Sequence, residues 1–154
     1  MPVGTVTKYN SLEKTLMADA NRQWDDATAG NIMFVLAGAG YTPSATHDET
    51  ADLTNVITSG DGAPIAATAL AIDNTTTPGT TYYDSADANF GAAVTITAKY
   101  LIAIQPATAG TYNASTGKLL FYVDLDTTGG SATVSSTASD FIVYAPANGW
   151  FKTV

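Results

Sequence analysis

The sequence predicts a mainly β protein, an antiparallel β-sandwich or jelly-roll-like domain with one N-terminal helix. From Asn31 onward, short β-prone runs alternate with Gly, Pro, Asn and Asp, which is typical of antiparallel all-β domains. A helical period is confined to the beginning of the chain, where Leu12, Leu16, Ala20 and Trp24 recur every four residues. The length of 154 residues suffices for one hydrophobic core.

The helix is predicted at about residues 11–22. Asn10 and Glu13 have the spacing of a capping box, in which the Asn side chain accepts a helix N–H and the Glu side chain reaches back. Charged residues lie on the outer face, so we expect this helix to cover an edge or face of a sheet. Residues 1–10 are then an N-terminal arm, and residues 11–154 form a single β-rich domain.

The strands are predicted from runs of apolar and β-branched residues. Asn31–Ala37 is apolar at both odd and even positions, so both faces of the segment are apolar. This indicates a central strand buried on two sides. Ala93–Gln105 alternates apolar residues with Thr and Lys, which indicates a half-solvated sheet face. Gly129-Gly130 predicts a tight turn between two strands. The other predicted strands are Pro64–Asp73, Lys118–Asp126, Ala132–Ser136, Asp140–Ala145 and Trp150–Val154.

Two long connections are predicted to contain no strands, namely Gly38–Gly62 and Asn74–Gly91. Within the first, the segment from Asp48 to Leu53 is acidic at its front and suits the positive end of a short helix. Loops longer than about 12 to 15 residues are uncommon inside a compact domain and tend to be functional or to rest on a partner. We therefore expect contact surfaces in these two connections.

The composition narrows the choice of partners. Fourteen acidic residues against six basic ones give a formal charge of -8, which repels phosphate backbones and anionic lipids. We therefore expect no nucleic acid and no membrane partner. The absence of cysteine removes disulfides, thiolate nucleophiles and Cys-ligated zinc. No apolar run approaches the ~20 residues of a membrane span, and no secretory signal opens the sequence, so we expect a soluble protein made without Sec export.

The sequence favours no enzymatic chemistry. His47 is the only histidine, and no G-x-S-x-G nucleophile elbow accompanies it. Because Asp48 adjoins it in the chain, we interpret the pair as a loop cap and not as part of a catalytic triad. Paired carboxylates for glycoside hydrolysis can be assembled only by the fold, and no pair is singled out by spacing.

Nucleotide and metal sites are equally unsupported by motif. Gly38-Ala39-Gly40 lacks the third glycine and the βαβ context of a dinucleotide site. Asp124–Gly129 begins like a calcium loop, but its twelfth position is Ser135 in place of the bidentate glutamate. We therefore predict no catalytic, cofactor-binding or metal-ligating residues and no cofactor, with a weak cation site at Asp124–Gly129 as the open alternative.

Aromatic residues near turns are the remaining candidates for recognition. Tyr82, Tyr83, Phe90, Tyr112 and Trp150 could stack on a sugar or on a neighbouring chain. We favour the alternative that these rings cap the ends of the sandwich core.

Several segments form an ordered series along the chain. The first set runs through Trp24-Asp25-Asp26, Asn31–Leu36, Tyr41-Thr42-Pro43, Thr46-His47-Asp48 and Asp52–Asn55. It resembles the W-x-x-D-x-I-x-V-x-L strand and the Y-T-P…T-H…D-V-T-N-E-V loop of a recurrent family of small tailed-phage virion proteins. Thr97–Ile104, Leu120–Asp124 and Gly149–Val154 resemble its T-A-R-Y-A-V-I-Y strand, its L-I-G-Y-V-D-F strand and its closing segment.

The resemblance covers most of residues 20–154 and has three departures. Lys99 stands where the family prefers Arg, Phe90 replaces a usual Trp, and the G-Y-x-x-G-G run after Asn55 is missing. These departures indicate a remote relationship. The family is itself poorly characterised, so the resemblance implies a phage structural protein more firmly than a place in the particle.

From the resemblance we expect a capsid decoration, or cement, protein that binds and stabilises the outer surface of the head. Its partner would be the major capsid protein of a tailed phage. The chain would be made in the host cytoplasm and end on the virion. A small, acidic β domain with long neutral loops suits many weak contacts repeated by symmetry, so we expect a homo-oligomer such as a trimer. Met1–Tyr9 or the long loops would reach a neighbour.

Alternatives within the virion are a head fibre, a tail component or an adaptor. Outside that class, the sequence leaves open a carbohydrate-binding adhesin module and a glycan-cleaving enzyme.

Overall fold

A computed structural model describes residues 4–10, 12, 24, 28–75 and 78–153 of the chain. These residues are mainly β and contain two short 3₁₀ turns, Thr50–Asp52 and Gly60–Gly62. Their strands are β1 (Val6–Lys8), β2 (Met33–Ala37), β3 (Val56–Ile57), β4 (Ile65–Ala66), β5 (Ala71–Asp73), β6 (Thr81–Asp84), β7 (Ala88–Asn89), β8 (Val94–Ala98), β9 (Tyr100–Gln105), β10 (Lys118–Asp124), β11 (Val134–Ser139), β12 (Ile142–Val143) and β13 (Phe151–Thr153).

The main sheet is antiparallel and has the strand order β1-β10-β9-β2-β3, with β4 also paired to β2. All five residues of β2 are buried, which confirms the predicted central strand with two covered faces. All six residues of β9 beside it are buried as well. The smaller sheets are β11-β8, β12-β7 and β13-β6-β5, all antiparallel, so the predicted mainly β class is confirmed.

The N-terminal segment joins the main sheet. Val6–Lys8, within the predicted arm 1–10, pairs with β10 in a register that sets Val6 opposite Val123. The helix predicted at about 11–22 lies outside the described residues except for Leu12, whose side chain is buried.

Two predicted strands are wrong, because each is divided between two sheets. Pro64–Asp73 contains β4 in the main sheet and β5 in a smaller one, and Ala69 turns the chain between them at a φ of 49°. Ala93–Gln105 is divided at Lys99 into β8 and β9. The predicted half-solvated face therefore applies to β8 alone, where Val94, Ile96 and Ala98 are buried and the threonines between them are exposed.

The prediction that Gly38–Gly62 and Asn74–Gly91 contain no strands is also wrong. They contribute β3, β6 and β7, which have two to four residues each and are therefore too short to show a period. The short helix expected between Asp48 and Leu53 is present as the 3₁₀ turn Thr50–Asp52.

The other predicted strands are confirmed with shifted ends. Lys118–Asp126 ends two residues early as β10, and Ala132–Ser136 becomes β11, which extends to Ser139. Only β12 forms within Asp140–Ala145, and β13 occupies the predicted C-terminal strand. Gly129 lies in the connection between β10 and β11 with a φ of 75°, a conformation that glycine adopts without strain.

An aromatic cluster fills one side of the main sheet. The Phe121 ring lies 5.6 Å from Trp150 and 5.7 Å from Phe151, while Trp24 lies 5.3 Å from Phe151 (centroid distances). The Trp24 indole N–H donates to the carbonyl of Asp84, which ties this cluster to the β13-β6-β5 sheet. Because alternate residues of a strand face opposite sides, the other face of β2 and β9 carries a second cluster, which includes Val35, Ile102 and Ile104.

Replacing Phe121 with Ala should destabilise the fold by about 3–5 kcal/mol, because the ring is fully buried and its removal leaves a cavity among the neighbouring rings. Urea unfolding measures this change. Tyr144→Ala is the matched control, since that ring is 49% exposed and its loss should change stability by about 0.5 kcal/mol or less. Equal effects of the two substitutions would contradict the assignment of the core.

Candidate functional site

The connection Gly38–Gly62 was predicted to be a contact surface. Its first half, from Tyr41 to Leu53, packs on the second face of the main sheet. Tyr41 is buried there, with its ring perpendicular to Tyr100 at 5.8 Å, and Leu53 packs against the same cluster. We call four residues of this face the tyrosine cluster, because each contacts two of the others. They are Tyr9, Tyr41, Tyr100 and Tyr122. The loop residues predicted to contact a partner therefore belong in part to the core.

The hydroxyls of Tyr9 and Tyr41 belong to a chain of hydrogen bonds that ends at His47. The Tyr9 and Tyr41 oxygens lie 2.7 Å apart, and the Tyr41 oxygen lies 3.0 Å from Nδ1 of His47. Burial raises the pKa of Tyr9, and the hydrogen bond with Tyr41 raises it further. Burial also raises the pKa of Tyr41 above its usual value. Both phenols therefore stay neutral and act as hydrogen-bonding groups, not as acids.

His47 has a structural partner in Tyr41, whose ring lies 5.8 Å away. The sequence interpretation assigned the loop cap to His47-Asp48. The cap lies in this loop, but another residue forms it. The capping carboxylate belongs to Asp52, which accepts the backbone N–H groups of Asp48 and Glu49 at 3.0 and 3.2 Å. These two bonds hold the pKa of Asp52 below its usual value, with a smaller contribution from His47. The spacing Glu49-x-x-Asp52 is a capping box that sequence reasoning missed.

Asn55 closes the same loop against the main sheet. Its backbone carbonyl accepts the N–H of Gly38, and its φ is 55°. A side chain at Gly38 or Gly40 would displace the Asn55 amide, because an added Cβ at either position would lie closer to that amide than van der Waals contact allows. The Gly38-Ala39-Gly40 segment therefore allows the loop to pack closely against Asn55.

Lys99 is a buried cation at the break between β8 and β9. Its Nζ lies 3.0 Å from a carboxylate oxygen of Asp124, donates to the carbonyl of Gly130, and lies 5.2 Å from the centroid of the Tyr100 ring. The Lys99 side chain is 7% exposed and that of Asp124 is 32% exposed. This ion pair fixes the start of β9 to the end of β10 and to the following turn.

The segment that resembled a calcium loop is a turn held by its own carboxylate. Asp126 accepts the hydroxyl and the backbone N–H of Thr128 and the backbone N–H of Ala132. The bonds from Thr128 are the main reason that the pKa of Asp126 is lowered. Within the part of the chain that the structure describes, no group of three or more His, Asp or Glu side chains could hold a metal ion. The turn accounts for the Asp-x-Asp spacing at this position.

A polar cavity of about 610 Å³ lies beside this turn, between β1 and the end of β10. It presents one aromatic ring, two carboxylates and several threonine hydroxyls. Its lining residues are Gly4, Thr5, Thr7, Tyr122, Asp124, Asp126, Thr127 and Gly129. Its lining combines an aromatic ring, which can stack on a sugar, with hydroxyl groups, which can hydrogen-bond to one.

The other aromatic candidates belong mainly to the core, as favoured from the sequence. Phe90 and Trp150 are buried, and Tyr83 stacks on Phe151 at a centroid distance of 4.4 Å. Tyr112 packs against the cluster on the second face of the main sheet. No described helix is long and apolar enough to cross a membrane.

Asp52→Asn should change the pH dependence of stability. A carboxylate whose pKa is lowered on folding stabilises the fold above its unfolded pKa of about 3.9, and this stabilisation is lost as the pH falls through the lower folded value. The wild type should therefore exceed Asp52→Asn in stability by a constant amount above about pH 5 and by progressively less as the pH falls below that value. Urea unfolding at several pH values measures the difference, with Asp140→Asn as a control for the loss of one charge. An Asp52→Asn difference that stays constant down to pH 2 would contradict the capping role.

Comparisons with protein-family models, with curated proteins and with solved structures find no match to this chain.

Proposed function

We propose that this chain is a capsid decoration protein of a tailed phage, which binds the outer surface of the assembled head and stabilises it. The main support is that the segments that carry the resemblance converge in the fold. Asn31–Leu36, Thr97–Ile104 and Leu120–Asp124 contribute the adjacent strands β2, β9 and β10. The loop from Tyr41 to Asn55 packs on the same sheet.

We further infer that the antiparallel sheets form a β-sandwich or jelly-roll-like domain. The supporting contacts are aromatic: Phe34 and Phe121 of the main sheet pack against Trp150 and Phe151, which lie at and beside the edge strand β13. A layered core of this kind presents its loops outward and suits a rigid surface protein.

The uncharged parts of the surface are the proposed contacts with the shell. Residues 107–116 and 127–139 contain no charged side chain, and most of them are exposed. In a chain with a net charge of -8, such segments let many copies lie close together with little mutual repulsion. The proposed partner is the major capsid protein, and the proposed location is the outer capsid surface of a virion whose proteins are made in the host cytoplasm.

A carbohydrate-binding adhesin module is the second candidate, and the cavity of about 610 Å³ favours it. Its Tyr122 ring offers a stacking surface, and Thr5, Thr7 and Thr127 offer hydroxyls to a sugar. The carboxylates of Asp124 and Asp126 disfavour an anionic saccharide, because Lys99 pairs with only the first of them. A place in a head fibre, a tail or an adaptor is compatible with either function.

Heads that lack the protein should release their DNA at a lower temperature than complete heads. A protein that binds the assembled shell and not its free subunits stabilises the shell by linkage, and many copies multiply a small contribution from each. DNA release on heating, followed with a DNA-binding dye, compares complete heads, heads without the protein, and the latter after addition of purified chain.

Binding of the chain to isolated shell subunits serves as the control and should be weak. Equal release curves at full occupancy would contradict the stabilising function, and failure of the purified chain to bind heads would contradict the location.

A further inference from the structure

The turn before β13 contains a chemically reactive pair of residues. Asn148 is the only asparagine of the sequence that is followed by glycine. In such a pair the backbone nitrogen of the glycine can approach the side-chain amide carbon of the asparagine, because glycine has no Cβ to hinder it. Asn148 is exposed in the turn from Pro146 to Gly149. Sequence and exposure together therefore favour spontaneous loss of this side-chain amide.

The reaction is deamidation through a cyclic imide. The backbone nitrogen of Gly149 forms a bond to Cγ of Asn148, and the side-chain amide leaves as ammonia with the proton that the backbone nitrogen loses. Water then adds to one of the two imide carbonyls and opens the ring. Addition at Cγ gives aspartate, and addition at the backbone carbonyl gives isoaspartate, in which the main chain runs through the former side chain. Each product carries a new carboxylate, and water is the only co-reactant.

The native turn holds the nitrogen of Gly149 in a conformation that cannot react. Its N–H donates to the carbonyl of Pro146 at 2.9 Å. Because an imide nitrogen carries no hydrogen, this bond must break before the ring can close. The backbone of Gly149 also lies directly against the carbonyl of Tyr83 in β6, so closely that an added Cβ would overlap it.

The position of Gly149 depends in turn on the residues that follow it. Trp150 donates its backbone N–H to the carbonyl of Tyr83 at 2.8 Å, and its buried indole N–H donates to the hydroxyl of Ser85 at 2.8 Å. Phe151 stacks on the Tyr83 ring, and β13 pairs with β6 from this residue onward. Movement of Gly149 away from β6 therefore requires a local opening that includes Trp150 and the start of β13.

We propose that Asn148 is a deamidation site that is gated by the docking of β13. The residue is stable while β13 is docked and reacts when the strand opens. Isoaspartate adds one carbon atom to the main chain directly before Gly149, where the backbone fits closely against Tyr83. The modified turn therefore docks less well, and the modification weakens the attachment of β13 to β6 irreversibly. This inference does not depend on the proposed function.

The rate of deamidation in the folded and the denatured full-length chain tests the gate. The chain is incubated at mildly alkaline pH in buffer and in guanidinium chloride, and peptide mapping by mass spectrometry measures conversion at Asn148. The folded chain should react at least about tenfold more slowly, because its reactive state is reached only by local opening. Equal rates in the two states, or no reaction in the denatured chain, would overturn the proposal.

Two substitutions in β13 distinguish docking of the strand from other effects of the fold. Phe151→Ala removes the ring that stacks on Tyr83 and should deamidate faster than the wild type. Lys152→Ala changes an exposed side chain of the same strand and should match the wild type. Both are measured under conditions in which circular dichroism shows the variant to be folded. A folded Phe151→Ala chain that reacts no faster than Lys152→Ala would show that β13 is not the gate.

Two substitutions of Asn148 itself separate the added charge from the altered backbone. Asn148→Gln should gain no charge at this position, because its longer side chain closes a ring much more slowly. Freshly purified Asn148→Asp carries the charge on a normal backbone and should unfold in urea nearly as the wild type does. Isoaspartate chain, formed in guanidinium chloride, purified and refolded beside unmodified chain, should unfold at lower urea than Asn148→Asp. Equal midpoints for these two would contradict the effect on β13.

Discussion

Burial of the central strands β2 and β9 on both faces is the constraint on which the rest of the structure depends. All residues of both strands are buried, and alternate side chains point to opposite sides. Each side therefore needs its own cover. Aromatic residues from β10, β13 and their neighbours cover one side, and the tyrosine cluster with the loop after β2 covers the other. The need to cover both sides therefore determines where the short strands and the loop after β2 pack.

The tyrosine cluster and the loop after β2 explain why residues that resemble a reactive site in the sequence have structural roles. Burying a tyrosine hydroxyl costs free energy unless the hydroxyl is hydrogen-bonded. Tyr9, Tyr41 and His47 satisfy one another, and Asp52 holds the 3₁₀ turn that positions this part of the loop. The residues from Tyr41 to Asp52, which suggested a resemblance to phage virion proteins, thus build part of this scaffold. Function on such a scaffold lies in the surfaces that it presents, which here are neutral segments and a polar cavity.

The sequence is sufficient to predict strands that are buried along their whole length, and turns whose ends are set by residues nearby in the chain. β2 and β10 were predictable from their apolar runs, and the 3₁₀ turn at Thr50–Asp52 from its acidic start. The division of Ala93–Gln105 was not, because it depends on Lys99 pairing with Asp124, which lies 25 residues further along the chain. Likewise β6 is defined by β13, a strand from the other end of the domain. The cavity was the least predictable feature, because the pairing of β1 with β10 brings Thr5 and Thr7 beside Tyr122, more than a hundred residues away in the chain.

The proposed place on a phage head is consistent with the uncharged exposed segments. In this proposal a rigid β scaffold presents those segments to a repeating lattice. Cryo-electron microscopy of purified particles of a phage that encodes this chain tests it most directly. The account predicts density fitting this domain on the outside of the head, with residues 107–116 or 127–139 at the contact with the shell. Density confined to the tail, or particles that lack the chain altogether, would contradict it.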